Sequence, residues 1–567
     1  MKRYLFLALV ILFVLIGSSG GDNKKVYPYR WVRVGSGLRS DKDVEKIRQI
    51  AQTASQHGLN GILLSSGLDT MDLQPSEFYQ RLQKVKELGA SFGLEIIPSF
   101  MSVGYGGAVL AHDKNLAAGL PVKDALFIVE NSEARLTADP PVRLVNGGFE
   151  KSSQDGLDGF LLSGKLGQFV SVDTNTFKEG KASLRFDNFR NAPDETVNID
   201  QDVQVHPYRH YRLSCWVKAE NLKPSDPFGD SNFQLKVLGG DEQRPLQYEN
   251  PKLSPTDDWH KVTVGFNTWN YDKVRIMPSV SGGGNGKFWI DDLNLDEVGL
   301  INVLRRPGTP ITVRGESSGM TYQEGRDFVK VLDPIMNFRY DHEGPPIEIV
   351  AGSRIPEGER LRVSFYHGTF IYNDQTPICM SEPKLYEIWR KQARLVQQAL
   401  SPKYYMLNMD EIRTGGSCEA CKRRNMTMGQ ILGDTLTKQF NLLKEANPKA
   451  EIFVWSDMLD PNHNAGPDQK WYYLAEGTYV DSWKYIPKGM NIVCWYYEMR
   501  VPSLKHFSSL GFRTMAGSYY DGDNLDNPKG WLEALDNTPG ACGILYTTWL
   551  NKYDLLGPFG DLVSKRE

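Results

Sequence analysis

Eight short apolar runs, three before residue 100 and five after residue 400, constrain this chain more than any other feature. The first three are Trp31-Val-Arg-Val34, Gly61-Ile-Leu-Leu64 and Leu94-Glu-Ile-Ile97. Between them Asp41–His57 and Pro75–Phe92 have helical periodicity, with Val44, Ile47, Ile50 and Ala51 on one face of the first. A helical stretch from Glu382 to Ala399 precedes the fourth run, Tyr404-Tyr-Met-Leu407, and another from Met428 to Ala446 follows it. The remaining runs are Glu451–Trp455, Asn491–Trp495, Arg513–Ala516 and Gly543–Trp549. Strands alternating with helices imply parallel pairing through crossover helices. Eight such strands are the number that closes a (β/α)8 TIM barrel, an α/β fold.

The barrel is interrupted. Residues 141–300 carry short strands separated by turn residues, among them Tyr211–Val217, Phe233–Val237, His260–Val264 and Lys287–Ile290. This spacing predicts an inserted all-β jelly-roll sandwich. Residues 301–366 continue in the same style as a small second β unit, to which the run Leu361–Tyr366 is assigned. The chain therefore divides into 1–20, 21–140 (first barrel segment), 141–300 (sandwich), 301–366 (small β unit) and 367–567 (second barrel segment). A length of 567 residues accommodates this division, and 40% hydrophobic with 24% charged residues excludes wholesale disorder. A net charge of −4 argues against nucleic acid as a partner.

The first 20 residues read as a signal peptide: Lys2 and Arg3, an apolar run from Tyr4 to Ile16, and a small-residue exit at Gly17–Gly20. The mature protein is expected to be secreted or periplasmic, with no membrane contact once the signal is removed. Disulfides are permitted there. Cys494 and Cys542 sit among apolar neighbours and read as buried free thiols. The close pair Cys418-Glu-Ala-Cys421 suits a local disulfide or structural role ahead of a metal site, and a metal site ahead of redox chemistry. No cofactor and no metal are expected.

In a barrel of this type, the residues just past each strand form the active face. Here they are Arg39, Asp69, the adjacent Asp410 and Glu411, Trp455 and Asp457, Trp495 and Glu498, Tyr519 and Asp521, and Trp549 and Asn551. Acids to move protons and aromatic faces to hold sugar rings suit glycoside hydrolysis. Taken alone, Asp69 and Asp457 suit helix capping ahead of chemistry, and Tyr519-Tyr520 suits barrel packing as well as a pocket. Two neighbouring carboxylates repel, and partial burial adds to that, so at least one of Asp410 and Glu411 should hold its proton towards neutral pH. His367 is expected at a surface or an interface.

The stretch Cys379-Met-Ser-Glu-Pro383 through Tyr404-Tyr-Met-Leu-Asn-Met-Asp410-Glu411 resembles the family 20 glycoside hydrolases, the β-N-acetylhexosaminidases. The offset from Arg39 to Asn60 and the order Trp455, Trp495, Tyr519-Tyr-Asp521, Trp549 are similar to that family's pocket. The resemblance implies substrate-assisted retaining hydrolysis, in which the substrate's 2-acetamido oxygen attacks the anomeric carbon. Glu411 would serve as general acid and then base. Asp410 would orient the acetamido N–H and Tyr519 would bond its oxygen. Trp455, Trp495 and Trp549 would wall the pocket, and Arg39 would hold ring hydroxyls. The chain departs from the family where His-x-Gly-Gly gives way to Leu407-Asn408-Met409, where Ser99-Phe100-Met101 follows Pro98, and where Asn551 replaces an acid.

Residues 141–300 resemble galactose-binding-like jelly-roll modules through Val145–Glu150, Ser214–Ala219 and Phe288–Leu293. Trp216 and Trp289 read as core there; for Trp259 and Trp269, nearer turns, an exposed platform is the lesser reading. The expected partner is an oligosaccharide or polysaccharide. Two other readings stand beside the hexosaminidase-like one: a retaining glycosidase with Glu411 as acid/base and Glu498 as nucleophile, and a non-catalytic secreted glycan-binding protein.

Overall fold

The computed structural model describes residues 25–566 apart from 154–155, 192–195, 224–232, 252, 282–284, 341, 373–374 and 469–473. The expected signal at 1–20 lies outside the described residues. Among the described residues no helix is long and apolar enough to cross a membrane.

The eight runs form strands β1 (Tyr29–Gly35), β2 (Gly61–Ser65), β3 (Glu95–Phe100), β4 (Tyr404–Leu407), β5 (Glu451–Trp455), β6 (Met490–Cys494), β7 (Arg513–Tyr519) and β8 (Ala541–Thr547). They pair in that order into one closed barrel. Every pairing is parallel, from Trp31 opposite Gly61 to the closing pair Tyr29 opposite Gly543. Side chains alternate along each strand. One set, including Tyr29, Trp31, Leu63, Ile97, Met406, Phe453, Val493 and Met515, fills the interior. The Trp31 and Phe453 rings pack edge-on at 4.8 Å. At the N-terminal rim, Glu451 accepts from the Tyr29 hydroxyl at 3.0 Å and pairs with Arg513 at 2.7 Å.

The other set faces the helices α1 (Asp41–Gln56), α2 (Ser76–Ser91), α3 (Pro383–Leu400), α4 (Met428–Ala446), α5 (Arg500–Ser509), α6 (Asp526–Asp536) and α7 (Leu556–Ser564). Helix α1 buries Val44, Ile47, Ala51 and Ala54, one stripe at helical spacing. Helix α4 starts at a capping box: the Thr427 hydroxyl accepts from the Gln430 amide at 3.2 Å, and the Gln430 side chain accepts from the Thr427 amide at 2.9 Å. The (β/α)8 expectation fails at one link. Between β5 and β6 the described residues form only short 3-10 turns, Asp457–Leu459 and Ser482–Lys484, and a two-residue strand. The sequence there is rich in Asp, Asn, Gly and Pro, residues that favour turns over helix.

The insert leaves the barrel after β3 and returns ahead of α3. Its two ends lie side by side: Ala117 pairs with Ile378, and the Cys379 amide donates to the Leu116 carbonyl at 2.8 Å. The sandwich has two five-stranded sheets, one built around His210–Lys223 and Asn285–Glu297, the other around Phe233–Gly239 and Lys273–Ser281. A six-stranded sheet forms the second β unit. It combines Thr312–Gly315, Thr321–Tyr322, Ile347–Glu348 and Arg360–His367 with Leu120–Glu130 and Glu133–Leu136. A boundary at 140 therefore assigns to the barrel a pair of strands, Leu120–Glu130 and Glu133–Leu136, that belong to this sheet. Leu120–Glu130 lies antiparallel to Arg360–His367, a pairing across more than two hundred residues that local patterning does not reveal.

His367 is fully buried at an internal interface, not at the surface. Its ring stacks on His210 at 3.7 Å, and its Nε2 lies 3.0 Å from the Asn267 side-chain nitrogen in the sandwich. Burial pushes its pKa down to about 3, so the ring is neutral. Trp289 is core as expected, whereas Trp216 is half-buried beneath the Lys178 ammonium at 4.1 Å. Trp269 is only 6% exposed and belongs to the sandwich core, and Trp259 is half-buried. The turn Asn267-Thr268-Trp269 folds inward because the Asn267 side chain accepts from the Trp269 amide at 2.8 Å.

Candidate active site

The C-terminal rim of the barrel collects acids and aromatic rings around the turn after β4. Strand β4 ends at Leu407, and Glu411 takes a left-handed conformation with φ 52°. This turn is fixed from beneath by Asp457, which is fully buried just after β5. Asp457 Oδ2 accepts from the Glu411 amide at 2.8 Å and from Asn464 Nδ2 at 2.9 Å, and Oδ1 faces Trp495 Nε1 at 3.4 Å. From the side, the loop after β3 presses Gly104 so closely on the Asp410 and Glu411 carbonyls that a Cβ there would overlap them.

The Glu411 carboxylate, 24% exposed, is held at both oxygens. The Tyr105 hydroxyl donates to Oε2, and Arg413 Nη2 lies 3.1 Å from Oε1. Arg413 also donates to the Gln375 side chain, whose own amide donates to the Glu411 carbonyl at 2.8 Å. Asp410 stands beside this group. Burial, then the charges of Asp457 and Glu411, push its carboxyl up to about 8, with Arg33 opposing them. Burial lifts Asp457 to about 6, aided by Glu411 and opposed by the Glu411 amide and the Asn464 and Trp495 side chains. The cluster behaves as a coupled unit that retains a proton near neutral pH.

Arg33 is a second basic residue at the rim, in addition to Arg413. It follows Tyr29 and Trp31 in the inward phase of β1, donates Nη1 to the Thr548 carbonyl at 2.9 Å, and lays its guanidinium over Trp549 at 3.9 Å. Arg39 is exposed beside the start of α1, in none of the bonds that join the acid cluster. Tyr519 differs from its expected role. Three successive left-handed residues, Tyr519, Tyr520 and Asp521 (φ 82°, 57° and 60°), end β7 and interrupt the alternation. Tyr519 thus turns outward, 1% exposed, and stacks on Tyr546 at 4.0 Å in the layer between barrel and helices. Tyr520 takes the position at the mouth. Its ring lies parallel to Trp495 at 6.5 Å and edge-on to Trp549 at 6.4 Å, within electrostatic range of Glu411 and Asp410.

Trp455 is buried in the barrel interior under the site, and Trp495 and Trp549 stand at the rim as expected. Asp521 is occupied locally, accepting from the Thr548 hydroxyl and from the Trp549 amide at 2.7 Å. Asn551 is exposed beside Gly35 and Tyr553 in a separate cleft lined mainly by α1 and the β1 loop. Glu498 is exposed before α5, and its carboxylate takes no part in the bonds around Asp410, Glu411 and Asp457. Asp69 is buried and accepts from the Met101 amide at 2.8 Å, a backbone anchor for the loop after β3.

Sequence reasoning missed Arg33, Tyr105, Arg413 and Gln375. Alternation along β1 marks Arg33 as inward once Trp31 is known to be inside. Tyr105 lies in the loop past β3, by the same rule that singled out the other strand ends. Gln375 comes from the insert and had no local signal.

Residues 143–277 match the profile of the CBM_4_9 family, described as a carbohydrate binding domain. No curated protein matches the chain. A solved family 16 carbohydrate-binding module aligns with 19% identity over 27% of this chain and 97% of its own, TM-score 0.21. A rhamnosidase from Novosphingobium sp. PP1Y aligns with 11% identity over 92% of this chain and 55% of its own, TM-score 0.32. A chitobiase from Flavobacterium johnsoniae aligns with 7% identity over 95% of this chain and 51% of its own, TM-score 0.35. The chain thus corresponds to about half the length of each of these two enzymes. It is a closed eight-stranded barrel that carries a carbohydrate-binding module.

Proposed function

We propose that the chain is an exported glycoside hydrolase whose general acid/base is Glu411. One observation carries the reading. Glu411, 24% exposed and held by Tyr105 and Arg413, belongs to a carboxyl cluster that retains a proton near neutral pH, at the C-terminal end of a barrel, beside Tyr105, Trp495, Tyr520 and Trp549. A leaving-group oxygen needs a proton delivered at the moment of bond cleavage, and a cluster holding one near pH 7 meets that need. The flat aromatic faces suit the C–H faces of a sugar ring, and the module over 143–277 supports a glycan as substrate.

Within that class we favour the substrate-assisted, hexosaminidase-like route. In that route the cluster's proton is the one Glu411 delivers, and Asp410, ionised once the proton has moved to Glu411, would orient the acetamido N–H and offset the positive charge that develops on the oxazolinium. Asp457 lies beneath the turn with its oxygens occupied by the Glu411 amide, Asn464 and Trp495, which leaves Asp410 as the carboxyl next to Glu411. Tyr520, rather than Tyr519, is the tyrosine that would meet the acetamide.

The test is a panel of chromogenic glycosides with and without a 2-acetamido group, run beside Glu411→Gln and a hexosamine thiazoline. Turnover of acetamido sugars alone, blocked by the thiazoline and lost in the variant, is the expected result. Turnover of plain glycosides insensitive to the thiazoline would overturn the substrate-assisted route. A silent panel with glycan binding intact would favour a binding protein.

A further inference from the structure

The loop after the acid turn and the returning end of the insert bring together three thiols separated by 39 and 42 residues in the chain. Cys379 Sγ lies 3.5 Å from Cys418 Sγ and 3.7 Å from Cys421 Sγ, and Cys418 and Cys421 are 3.7 Å apart. All three are buried and free. A disulfide needs sulfurs about 2.05 Å apart. Zinc–sulfur bonds of about 2.3 Å in tetrahedral directions put neighbouring sulfurs about 3.8 Å apart. The triangle therefore has the edge lengths of one face of a zinc tetrahedron on all three sides, and the local Cys-x-x-Cys spacing is that of a zinc knuckle.

The surroundings carry the matching charge. Arg306 is buried and places Nη2 3.8 Å from Cys418 Sγ while its Nε donates to Glu382 at 2.8 Å. Three thiolates around a divalent ion leave one net negative charge, which a buried guanidinium at this distance offsets. The Ser381 hydroxyl lies within hydrogen-bond reach of Cys421.

We propose that Cys379, Cys418 and Cys421 bind one zinc ion through three thiolates, with an oxygen of Ser381 or water as the fourth ligand. The ion fastens two segments that both reach the active site. Cys418 lies seven residues past Glu411, and Cys379 four residues past Gln375, which bonds the Glu411 carbonyl. The site is structural, closed by protein ligands and separate from the acid cluster.

Elemental analysis of the mature full chain, purified without chelator and dialysed against a small excess of zinc, is expected to give one zinc per chain. Cys421→Ser should bring this below a tenth, while Cys215→Ser, in the sandwich, should leave it unchanged. The cobalt-exchanged wild-type protein should show thiolate-to-cobalt charge transfer and the strong visible bands of a tetrahedral site, a readout that needs no variant to fold. Alkylation of the denatured, chelated protein should count six thiols. Wild-type protein with less than a tenth of a zinc, or a mass short by two hydrogens with only four thiols alkylated, would overturn the assignment.

Discussion

Asp457→Asn isolates the electrostatic basis of the proposed acid. The substitution keeps the shape and lets the amide oxygen retain the bonds from the Glu411 amide and Asn464, at 2.8 and 2.9 Å. It removes one negative charge from beneath Asp410, where that charge is the largest influence after burial. Two unit charges on the order of 5 Å apart at an effective dielectric constant near 20, a general scale for neighbouring carboxylates, interact by about 3 kcal/mol, or roughly 2 pK units. Allowing for relaxation and screening, we expect a fall of about 1.5 units. Like charges favour the protonated form, so their removal lowers the value. The alkaline limb of kcat/KM, expected near pH 8 in the wild type where the Asp410 carboxyl titrates, should move towards about 6.5. At pH 8 the protonated fraction then falls from about a half to about 3%, a loss near fifteenfold, with little change at about pH 5. The pH profile on whichever glycoside is turned over measures this. Infrared difference spectra of the protonated carboxyl band follow the same titration without substrate. An alkaline limb that stays in place or moves upward would refute the reasoning.

Arg33→Met removes the charge that opposes Asp410's elevation, so the same limb should move upward, opposite to Asp457→Asn. Tyr105→Phe deletes a hydrogen bond to a charged oxygen, worth about 1.5–3 kcal/mol, and kcat/KM should fall about ten- to a hundredfold with the fold's melting temperature nearly unchanged. Tyr519→Phe should stay within a few-fold of wild type because the ring faces the helices, whereas Tyr520→Ala should raise KM about tenfold or more. Asp69 is raised to about 6 by burial, so the native state binds its proton more tightly than the unfolded chain. Its contribution to stability is present below about pH 4 and is lost as pH rises through about 6, worth about 3 kcal/mol in full. Asp69→Asn should therefore gain melting temperature relative to wild type as pH rises across that window, read by calorimetry at intervals from about pH 4 to about pH 7.

The barrel was legible because parallel strands are covered on both sides and read as continuous apolar runs, with helices between them marked by one buried stripe. Helix α4 has the bounds read from the sequence, Met428–Ala446, and Thr427 and Gln430 cap its start. The strand-end rule brought Asp410, Glu411, Asp457, Trp495 and Trp549 to one rim. It failed where local backbone geometry overrode alternation, as in the three left-handed residues that exchange Tyr519 for Tyr520. It also failed where a partner was distant in sequence. Gln375 and Cys379 come to the site from the far side of the insert, and Leu120–Glu130 pairs with Arg360–His367. Such pairings depend on chain topology, which a window of neighbouring residues does not contain.

The paired ends of the insert also shorten the loop that the barrel must close. Strand β4, which carries the acid turn, hydrogen-bonds to β3 through Met406 and Ser99, about three hundred residues earlier. Closing a flexible loop of about 300 residues costs roughly 5 kcal/mol in chain entropy. If the insert folds first, the pairing of Ala117 with Ile378 spans most of that loop, and only about 46 residues remain to be ordered. The closure cost then drops by about 1.7 kcal/mol, so closing the barrel is roughly fifteenfold easier once the β modules are folded. The inserted β modules are thus, in loop-closure terms, a scaffold: once they are folded, the barrel closes on a stem that is already built.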